Sequence, residues 1–394
     1  MPAHWFYGLD TLKETFDGGI KGYTDAPHPH PESFMVGMEY EPDVARAEQL
    51  GRPYDILHEH VRFYKTTYSQ LEIKMDGNDG QHGNEAPAPG NRFHYHHKMK
   101  AGENTTGAQL VRVLIRSVAK LGRYDQEAFL SDFIEYMTTP GRKDPYTEIY
   151  LREWFESFSK GMPPEFCAQE QRNVWSIGSM GGMLRPMVLS MLAPTPYQGL
   201  GFACEHQNLT HRSPNVTAAL GVSVPMLAEI LDGGPAAAAA VGHSKSLRLP
   251  RVSGEELQQI YRDHEGPSNI PDREMWELHT RLSTEPFDLQ DWARRLSDDE
   301  VILQKIGTVC YPEHGLPLLL FLALNHDFGV ESALLANANA GGDSVHRGAI
   351  LGMLLGAATE ETFPDHLRIG LVDHDELAEE IAAFVEIADK GDCW

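Results

Sequence analysis

The stretch Asn339-Ala340-Gly341-Gly342-Asp343-Ser344-Val345-His346-Arg347-Gly348 leads into a run of small and apolar residues. Two glycines and an aspartate at a helix entrance let the backbone approach a neighbour closely, and they direct free N–H groups and a carboxylate into one space. Gly348, Gly352 and Gly356 recur every four residues, so they share one helix face and allow a second helix to pack at short range. The purely structural interpretation is a tight turn before an Asp-capped helix.

This passage resembles the closing signature of the ADP-ribosylglycohydrolase family, N-x-G-G-D-T-D-T followed by a small-residue helix. The second aspartate of the signature falls at Val345, and the threonine after it falls at His346. In this departure the chain is similar to the branch that includes the jellyfish J-crystallins, which share the fold but not the full metal site. Further similar segments run from His4 to about Gly356. The resemblance implies an all-α fold, a compact ADP-ribosylglycohydrolase-type helical bundle with a central cleft.

The composition excludes several classes of function. With 394 residues and 41% hydrophobic content, the chain is long and apolar enough for a substantial core. The formal charge of −24 argues against nucleic acid and against an anionic membrane surface as partners, since both need clustered basic residues. We find no apolar run long enough to span a membrane and no signal peptide at the start. Four widely spaced cysteines fit a reducing compartment, so we expect a cytoplasmic protein.

Amphipathic helical stripes dominate the chain, and convincing strands are scarce. One stripe runs from Leu110 to Leu121 and another covers the acidic tail from Leu377 to Ile387. Residues 19–102 differ, because they are rich in Pro, Gly and His and predict a long loop excursion over one face. No linker divides the chain, so we predict a single ADP-ribosylglycohydrolase-like domain over residues 1–394.

The segment Glu103-Asn104-Thr105-Thr106 offers a carboxylate, an amide and two hydroxyls at a predicted helix start. Such oxygen donors suit a hard cation or sugar hydroxyls, although Thr106 with Gln109 also fits a simple capping box. In the family this position reads T-D-D-T, and both aspartates take part in a two-magnesium centre. The resemblance therefore makes Glu103 a candidate acid and metal ligand, and Asn104 and Thr105 candidate contacts to the substrate.

The resemblance also implies two more metal-binding carboxylates after Gly341 and Gly342, but here only Asp343 remains. Two carboxylates, Glu103 and Asp343, compensate two divalent cations poorly. We therefore expect no full two-magnesium site. A single divalent cation, magnesium, held by Glu103, Asp343 and neutral donors stays open, as does a softer site that contains imidazole.

His4 stands where the family's opening motif has a glutamate. The resemblance implies a helix before this motif, which we expect to be missing here, either because the start is misassigned or because the protein is naturally shortened. His4 is followed by three aromatic residues, so core packing is an equal alternative. His4 and His346 are candidates for proton transfer, because imidazole titrates near neutral pH. Arg347 is a candidate substrate contact beside them.

Two central segments resemble family stretches that line the nucleotide pocket and seat a helix. The first segment contains Gly181, Gly182 and Arg185, and the second contains His211. Glycines allow close backbone approach, and Arg185 could pair with a phosphate or with a buried acid. Close helix packing and a structural histidine are the alternatives. A separate cluster, His94, His96 and His97, precedes Glu103, and alternation would place His94 and His96 on one face as a possible metal pair.

Three functions remain open from the sequence. The leading one is hydrolysis of a glycosidic bond in an ADP-ribosyl or related ribosyl compound, with Asp343, Glu103, His346 and His4 as catalytic candidates. Its expected partner is a small ADP-ribosyl or nucleoside-like molecule, or an ADP-ribosylated protein. The second is a non-catalytic binding or structural protein of the crystallin type. The third is a hydrolase of altered chemistry that acts on another nucleoside-like substrate without two magnesium ions.

Overall fold

The computed structural model describes residues 2–27, 40–58, 94–96, 99–141, 144–264, 270–283, 287–359 and 363–390. Within these ranges the regular structure is helical, apart from two isolated β-bridges. The predicted all-α class is confirmed. Most of the predicted loop excursion, including its Gly-rich turn at 76–83 and His97, lies outside the described residues.

The α-helices follow one another along the whole chain. In order they are α1 Leu9–Thr15, α2 Val44–Leu50, α3 Thr106–Leu121, α4 Gln126–Thr138, α5 Ile149–Ser159, α6 Gly181–Ser190, α7 Pro196–Gln207, α8 Pro214–Leu231, α9 Ala236–Ser244, α10 Gly254–Asp263, α11 Asp272–Thr280, α12 Leu289–Arg295, α13 Asp298–Gln304, α14 Pro312–Asn325, α15 Val330–Asn339, α16 Ser344–Ala358, α17 Asp365–Ile369 and α18 His374–Ala388. The stripe predicted after Gly107 forms α3, and the acidic tail forms α18, which packs on α3.

Two hydrophobic cores hold these helices together. The first joins α3, α4 and α5 and contains several aromatic rings in contact, among them Phe133 and Trp154, which meet edge to face with centroids 5.1 Å apart. The second gathers α6, α8, α14 and α16, and its helix α14 is buried over almost its whole length. Because α3 belongs to the first core and α16 to the second, the region where both helices begin lies between the two.

Helix α8 corrects one prediction from the sequence. Pro214–Leu231 is long and apolar enough to span a membrane by length and composition, with a mean hydropathy of 1.3. It nevertheless packs against α6, α7 and α16, and the core helices of soluble proteins pass the same test. The expectation that no apolar run reaches this length was therefore wrong, although the packing gives the helix a place in the core.

The turn between α15 and α16 needs its two glycines. Gly341 and Gly342 have φ of +64° and +57°, which L side chains rarely adopt. A Cβ at Gly341 would lie 2.2 Å from the carbonyl oxygen of Phe6, and one at Gly342 would lie 1.9 Å from that of Thr308. The close approach that the sequence indicated is therefore to the chain's own backbone. Asp343 then caps α16, and its Oδ1 accepts the His346 N–H at 3.3 Å.

Candidate functional site

A continuous chain of buried side chains begins at the start of α16. His346 Nδ1 lies 2.9 Å from Asp343 Oδ2, and His346 Nε2 lies 3.2 Å from Glu148 Oε1. On the other side, Asp343 Oδ1 lies 3.2 Å from His4 Nε2, although that contact is poorly aligned for a hydrogen bond. All four side chains are buried, so this group of carboxylates and imidazoles is closed to solvent.

The same chain continues through the histidine cluster that precedes Glu103. His4 Nδ1 lies 2.7 Å from His96 Nε2, and His96 Nδ1 lies 2.8 Å from Asp144 Oδ1. Asp144 also accepts the N–H of Thr106 at 2.7 Å. The buried chain, defined as Glu148, His346, Asp343, His4, His96 and Asp144, thus connects the N-terminus of α16 with that of α3.

Burial and neighbouring charges set the protonation of its central members. Burial lowers the pKa of His4 to about 3, against the opposing effect of Asp343. Burial alone would raise the pKa of Asp343, but the imidazoles of His346 and His4 hold it well below its usual range. Burial alone would lower the pKa of His346, yet Asp343 and Glu148 raise it well above its usual range. Near neutral pH, Asp343 and His346 therefore form a carboxylate–imidazolium pair beside a neutral His4.

The open cleft lies on the other face of the same helix start. It has a volume of about 320 Å³, and its walls come from the N-terminal segment, the turn at residues 102–105, α15, α16 and the α17 region. Ser344 and Val345 line it, whereas Asp343 and His346 do not. The Oγ of Ser344 is buried and has no hydrogen-bond partner. The first residue of α16 therefore brings to the cleft wall a covered hydroxyl that has no protein partner.

The predicted donors before α3 face this cleft. Glu103, Asn104 and Thr105 all line it. Glu103 accepts the backbone N–H of Lys100 at 2.9 Å, and its side chain is half-buried. Thr105 is the N-cap residue but makes no side-chain capping bond. The capping box that the sequence suggested, Thr106 with Gln109, does not form, since Thr106 is already the first helical residue and its Oγ1 donates to the Tyr146 carbonyl.

The structure thus separates the two acids that the sequence analysis grouped as metal ligands. Glu103 lines the cleft, and Asp343 lies in the buried chain. On the far side of the Glu103–Asn104 turn is a second cavity of about 560 Å³, which Arg112 and Glu376 also line. Arg112 is engaged there by Glu380, with two contacts of 2.8 Å.

The candidates on α6 and before α8 lie inside the protein. A Cβ at Gly181 would come within 3.1 Å of Glu148 Oε2, and one at Gly182 within 2.8 Å of the His211 ring. Both glycines therefore serve close packing in the structure. His211 is fully buried, with Nδ1 2.9 Å from Thr210 Oγ1. Because these residues are buried, their position does not support the predicted role in substrate binding.

Two arginines differ from what the sequence suggested. Arg185 donates to Thr210 Oγ1 at 2.7 Å and contacts the hydroxyl of Tyr150 at 3.3 Å, and it forms no ion pair with a carboxylate among the described residues. Arg347 is fully buried and donates to Asn337 Oδ1 and to the carbonyl of Gly341. Arg347 thus fastens the end of α15 to the turn before α16 rather than facing the cleft.

The donor set does not fit a two-magnesium centre. Magnesium prefers oxygen ligands in near-octahedral geometry. Both carboxylate oxygens of Asp343 face imidazole nitrogens, and the position of the second family aspartate is the apolar Val345. In the part of the chain that the structure describes, no group of three or more His, Cys, Asp or Glu side chains could hold a metal ion. His94 and His96 are likewise engaged by the His4 carbonyl and by Asp144.

Several residues of this region escaped the sequence analysis. Glu148 and Asp144 stand in a segment without a motif, and only the fold brings them to His346 and to α3. Ser344 had a signal, because it occupies the position of the first threonine in the signature. Its hydroxyl was overlooked beside the charged neighbours Asp343, His346 and Arg347.

Comparison with known proteins decides the family. A family model described as ADP-ribosylglycohydrolase matches residues 43–392. The chain belongs to the ADP-ribosylglycohydrolase family. This membership confirms the resemblance and supports a hydrolase-like function on the fold, whereas the J-crystallin branch stays a prediction. His4 lies outside the matched range.

Two further comparisons were made for this ADP-ribosylglycohydrolase family member. No curated protein matches the chain. A solved structure titled "ADP-ribosylglycohydrolase-related protein complex" is 16% identical, with a TM-score of 0.47, and the match covers 74% of this chain and 83% of that one.

Proposed function

We propose that the chain hydrolyses a glycosidic bond in an ADP-ribosyl or related ribosyl compound, in the cleft beside α16 and without a two-magnesium centre. One observation carries the proposal. Glu103 and Ser344, whose covered hydroxyl has no partner, line the same cleft at the starts of α3 and α16, where the family signatures lie. Family membership supports the hydrolase class, and the imidazole contacts of Asp343 argue against two bound magnesium ions.

The reaction needs a held ribose and an activated water molecule. Glu103 is the candidate general base, because its carboxylate lies on the cleft wall. In the hydrolysis, water oxygen bonds to the anomeric carbon and its proton passes to Glu103. The bond to the leaving group breaks with its electron pair. An anionic leaving group takes up a proton from solvent water, a cationic heterocycle leaves neutral without one, and Glu103 returns its proton to solvent. Ser344, Asn104 and Thr105 are the candidate contacts to the sugar hydroxyls.

The buried chain supports this site from behind the wall. Asp343 caps α16 directly before Ser344, and Asp144 holds the first N–H of α3 directly after Thr105. We infer that Asp343, His346 and His4 are positioning residues for the cleft, since none of them lines it. Their predicted role in proton transfer would require a path through the wall.

The test is chromatographic measurement of the products released from a panel of ribosyl compounds and from an ADP-ribosylated protein, with and without chelator. We expect turnover that survives chelation and that falls at least about a hundredfold in Glu103→Gln, the usual size of a general-base effect. Glu376→Gln, which alters an acid of the second cavity, should retain full turnover. Undiminished turnover in Glu103→Gln would refute the assignment.

A second candidate, a non-catalytic binding protein, is favoured by one observation. The carboxylate Asp343 and both candidate histidines are closed off from the cleft. Saturable binding of a ribosyl compound that depends on Ser344, without product from any substrate in the panel, would support this candidate over the hydrolase.

A further inference from the structure

The charge of the cleft limits what it can bind. Among the described residues that line it there is no lysine, arginine or histidine, whereas two carboxylates, Glu103 and Glu331, do line it. Two nearby basic side chains are already paired with carboxylates, since Lys100 Nζ lies 2.9 Å from Asp25 and His366 Nε2 lies 2.9 Å from Glu331. An anionic ligand would therefore meet net negative charge at the wall.

Helix N-termini are the usual alternative for binding phosphate, because their free N–H groups carry partial positive charge. The helices α3 and α16 both begin at the cleft. Each start already has a carboxylate, however. Asp144 Oδ2 accepts the N–H of Thr106 at 2.7 Å, and Asp343 Oδ1 accepts that of His346. These carboxylates compensate the helix dipoles, so little positive field remains for a pyrophosphate.

The remaining wall suits an uncharged or cationic group. Leu334, Leu335 and Val345 line the cleft with apolar surface, and the aromatic ring of Tyr23 contributes to its wall. Apolar and aromatic surfaces with a few placed polar groups are typical of sites for planar heterocycles. The volume of about 320 Å³ lies at the lower end of the range for small-molecule sites.

One polar side chain of the cleft wall, Ser344, could form a hydrogen bond with a sugar hydroxyl. Ser344 is 5% exposed, its Oγ has no partner, and it lines the cleft. A buried hydroxyl without a partner is costly unless a ligand or a water molecule satisfies it. A ribose hydroxyl can both donate to it and accept from it, and Asn104 and Thr105 lie on the same wall.

We propose that the cleft selects a ribosyl compound without phosphate, a ribose joined to an uncharged or cationic nitrogen heterocycle, in preference to one that carries a pyrophosphate. The ribose bonds to Ser344 Oγ, which a change of the Ser344 rotamer exposes to the cleft. The heterocycle contacts Leu334 and Leu335, and Glu103 with Glu331 attracts positive charge. This inference rests on the proposed function for the location of the site and narrows its substrate class.

The test is isothermal titration of three probes against the full chain. Nicotinamide riboside is cationic, adenosine is neutral, and ADP-ribose carries a pyrophosphate. We expect the first two to bind at least about tenfold more tightly than ADP-ribose, which is a modest penalty for like charges at one site. The advantage of nicotinamide riboside should shrink at high salt, because salt screens exposed charges.

Matched variants locate the effect. Ser344→Ala should weaken all three probes by roughly tenfold, the usual value of one hydrogen bond. Glu331→Lys should strengthen the binding of ADP-ribose and weaken the binding of nicotinamide riboside. Glu376→Lys changes the net charge equally at the second cavity and should leave the order of the probes unchanged.

The outcomes separate this inference from the proposed function. If ADP-ribose binds as tightly as the other two probes and an ADP-ribosylated protein is hydrolysed with dependence on Glu103, the selection is refuted and the hydrolase stands. If the predicted order is found without turnover of any probe, the selection stands and the hydrolase fails. If none of the probes binds, both are refuted.

Discussion

The two faces of the first turn of α16 differ sharply in their surroundings, although their residues are direct neighbours in sequence. Asp343, His346 and Arg347 face inward, where every one of them is engaged by protein groups. Ser344 and Val345 face the cleft, and Ser344 offers a hydroxyl without a partner. The charged residues that resemble a catalytic signature are thus engaged by the protein's own groups. Among these five residues, only Ser344 and Val345 line the cleft, and we propose that recognition of a ligand depends on them.

The largest difference in stability between the two faces should appear when Asp343 is removed. Asp343→Ala removes one of the two buried carboxylates beside the His346 imidazolium and also the cap of α16, so we expect the free energy of unfolding to fall by about 3–5 kcal/mol. Ser344→Ala removes a hydroxyl that bonds to nothing in the protein and should change stability by less than about 0.5 kcal/mol. Urea denaturation monitored by circular dichroism measures both. Equal losses in the two variants would contradict the division into two faces.

Substitutions of two glycines in this region should likewise differ in their effect on stability. Gly342→Ala places a Cβ 1.9 Å from the Thr308 carbonyl at a positive φ, and we expect a loss of roughly 2–4 kcal/mol. Gly352→Ala meets only Leu334 at 3.9 Å within a helix, and it should be neutral or stabilise by up to about 1 kcal/mol. Thermal unfolding of both variants makes the comparison. A stable Gly342→Ala protein would show that the turn is not held against Thr308.

The pH dependence of stability gives a third distinction. The folded pKa of His4 is about 3, below its unfolded value, so between these values the unfolded chain binds more protons. Stability contributed by this group is therefore present above the unfolded pKa and is lost as pH falls toward 3. His4→Gln should reduce the slope of unfolding free energy against pH by at most one proton, about 1.4 kcal/mol per pH unit.

Urea titrations at several values between pH 4 and 7 would measure this slope. Other buried histidines with lowered pKa, among them His206 and His314, act with the same sign, so part of the slope should remain. Ser344→Ala serves as the control and should keep the full slope. An unchanged slope in His4→Gln would mean that His4 does not lose its proton on folding.

Chelation should produce the smallest effect. Because the imidazoles of His4 and His346 engage both oxygens of Asp343, we expect the unfolding temperature to be the same with and without a chelator. Elemental analysis of the purified protein should find no stoichiometric magnesium. A fall in unfolding temperature that added magnesium reverses would show instead that a cation holds Asp343, which would merge the two faces into one metal site.

The sequence was most informative where local patterns decide structure. The periodic stripes predicted the helices α3 and α18, and Gly341-Gly342-Asp343 predicted a tight turn with a capped helix. These features depend on side-chain period, on backbone freedom and on one capping bond, all of which act within a few residues. The order of the motifs along the chain was also sufficient to predict the family.

Only the tertiary structure decided which way the site residues face. Glu148 and Asp144 reach His346 and Thr106 across 198 and 38 positions of sequence, and no local pattern announces such contacts. The same folding buries His4 against Asp343 and leaves Ser344 at the cleft. The sequence by itself determines which hydrogen-bonding and charged groups are available. Because a buried charge must find a partner wherever the chain brings one, packing determines whether those groups serve a ligand or each other.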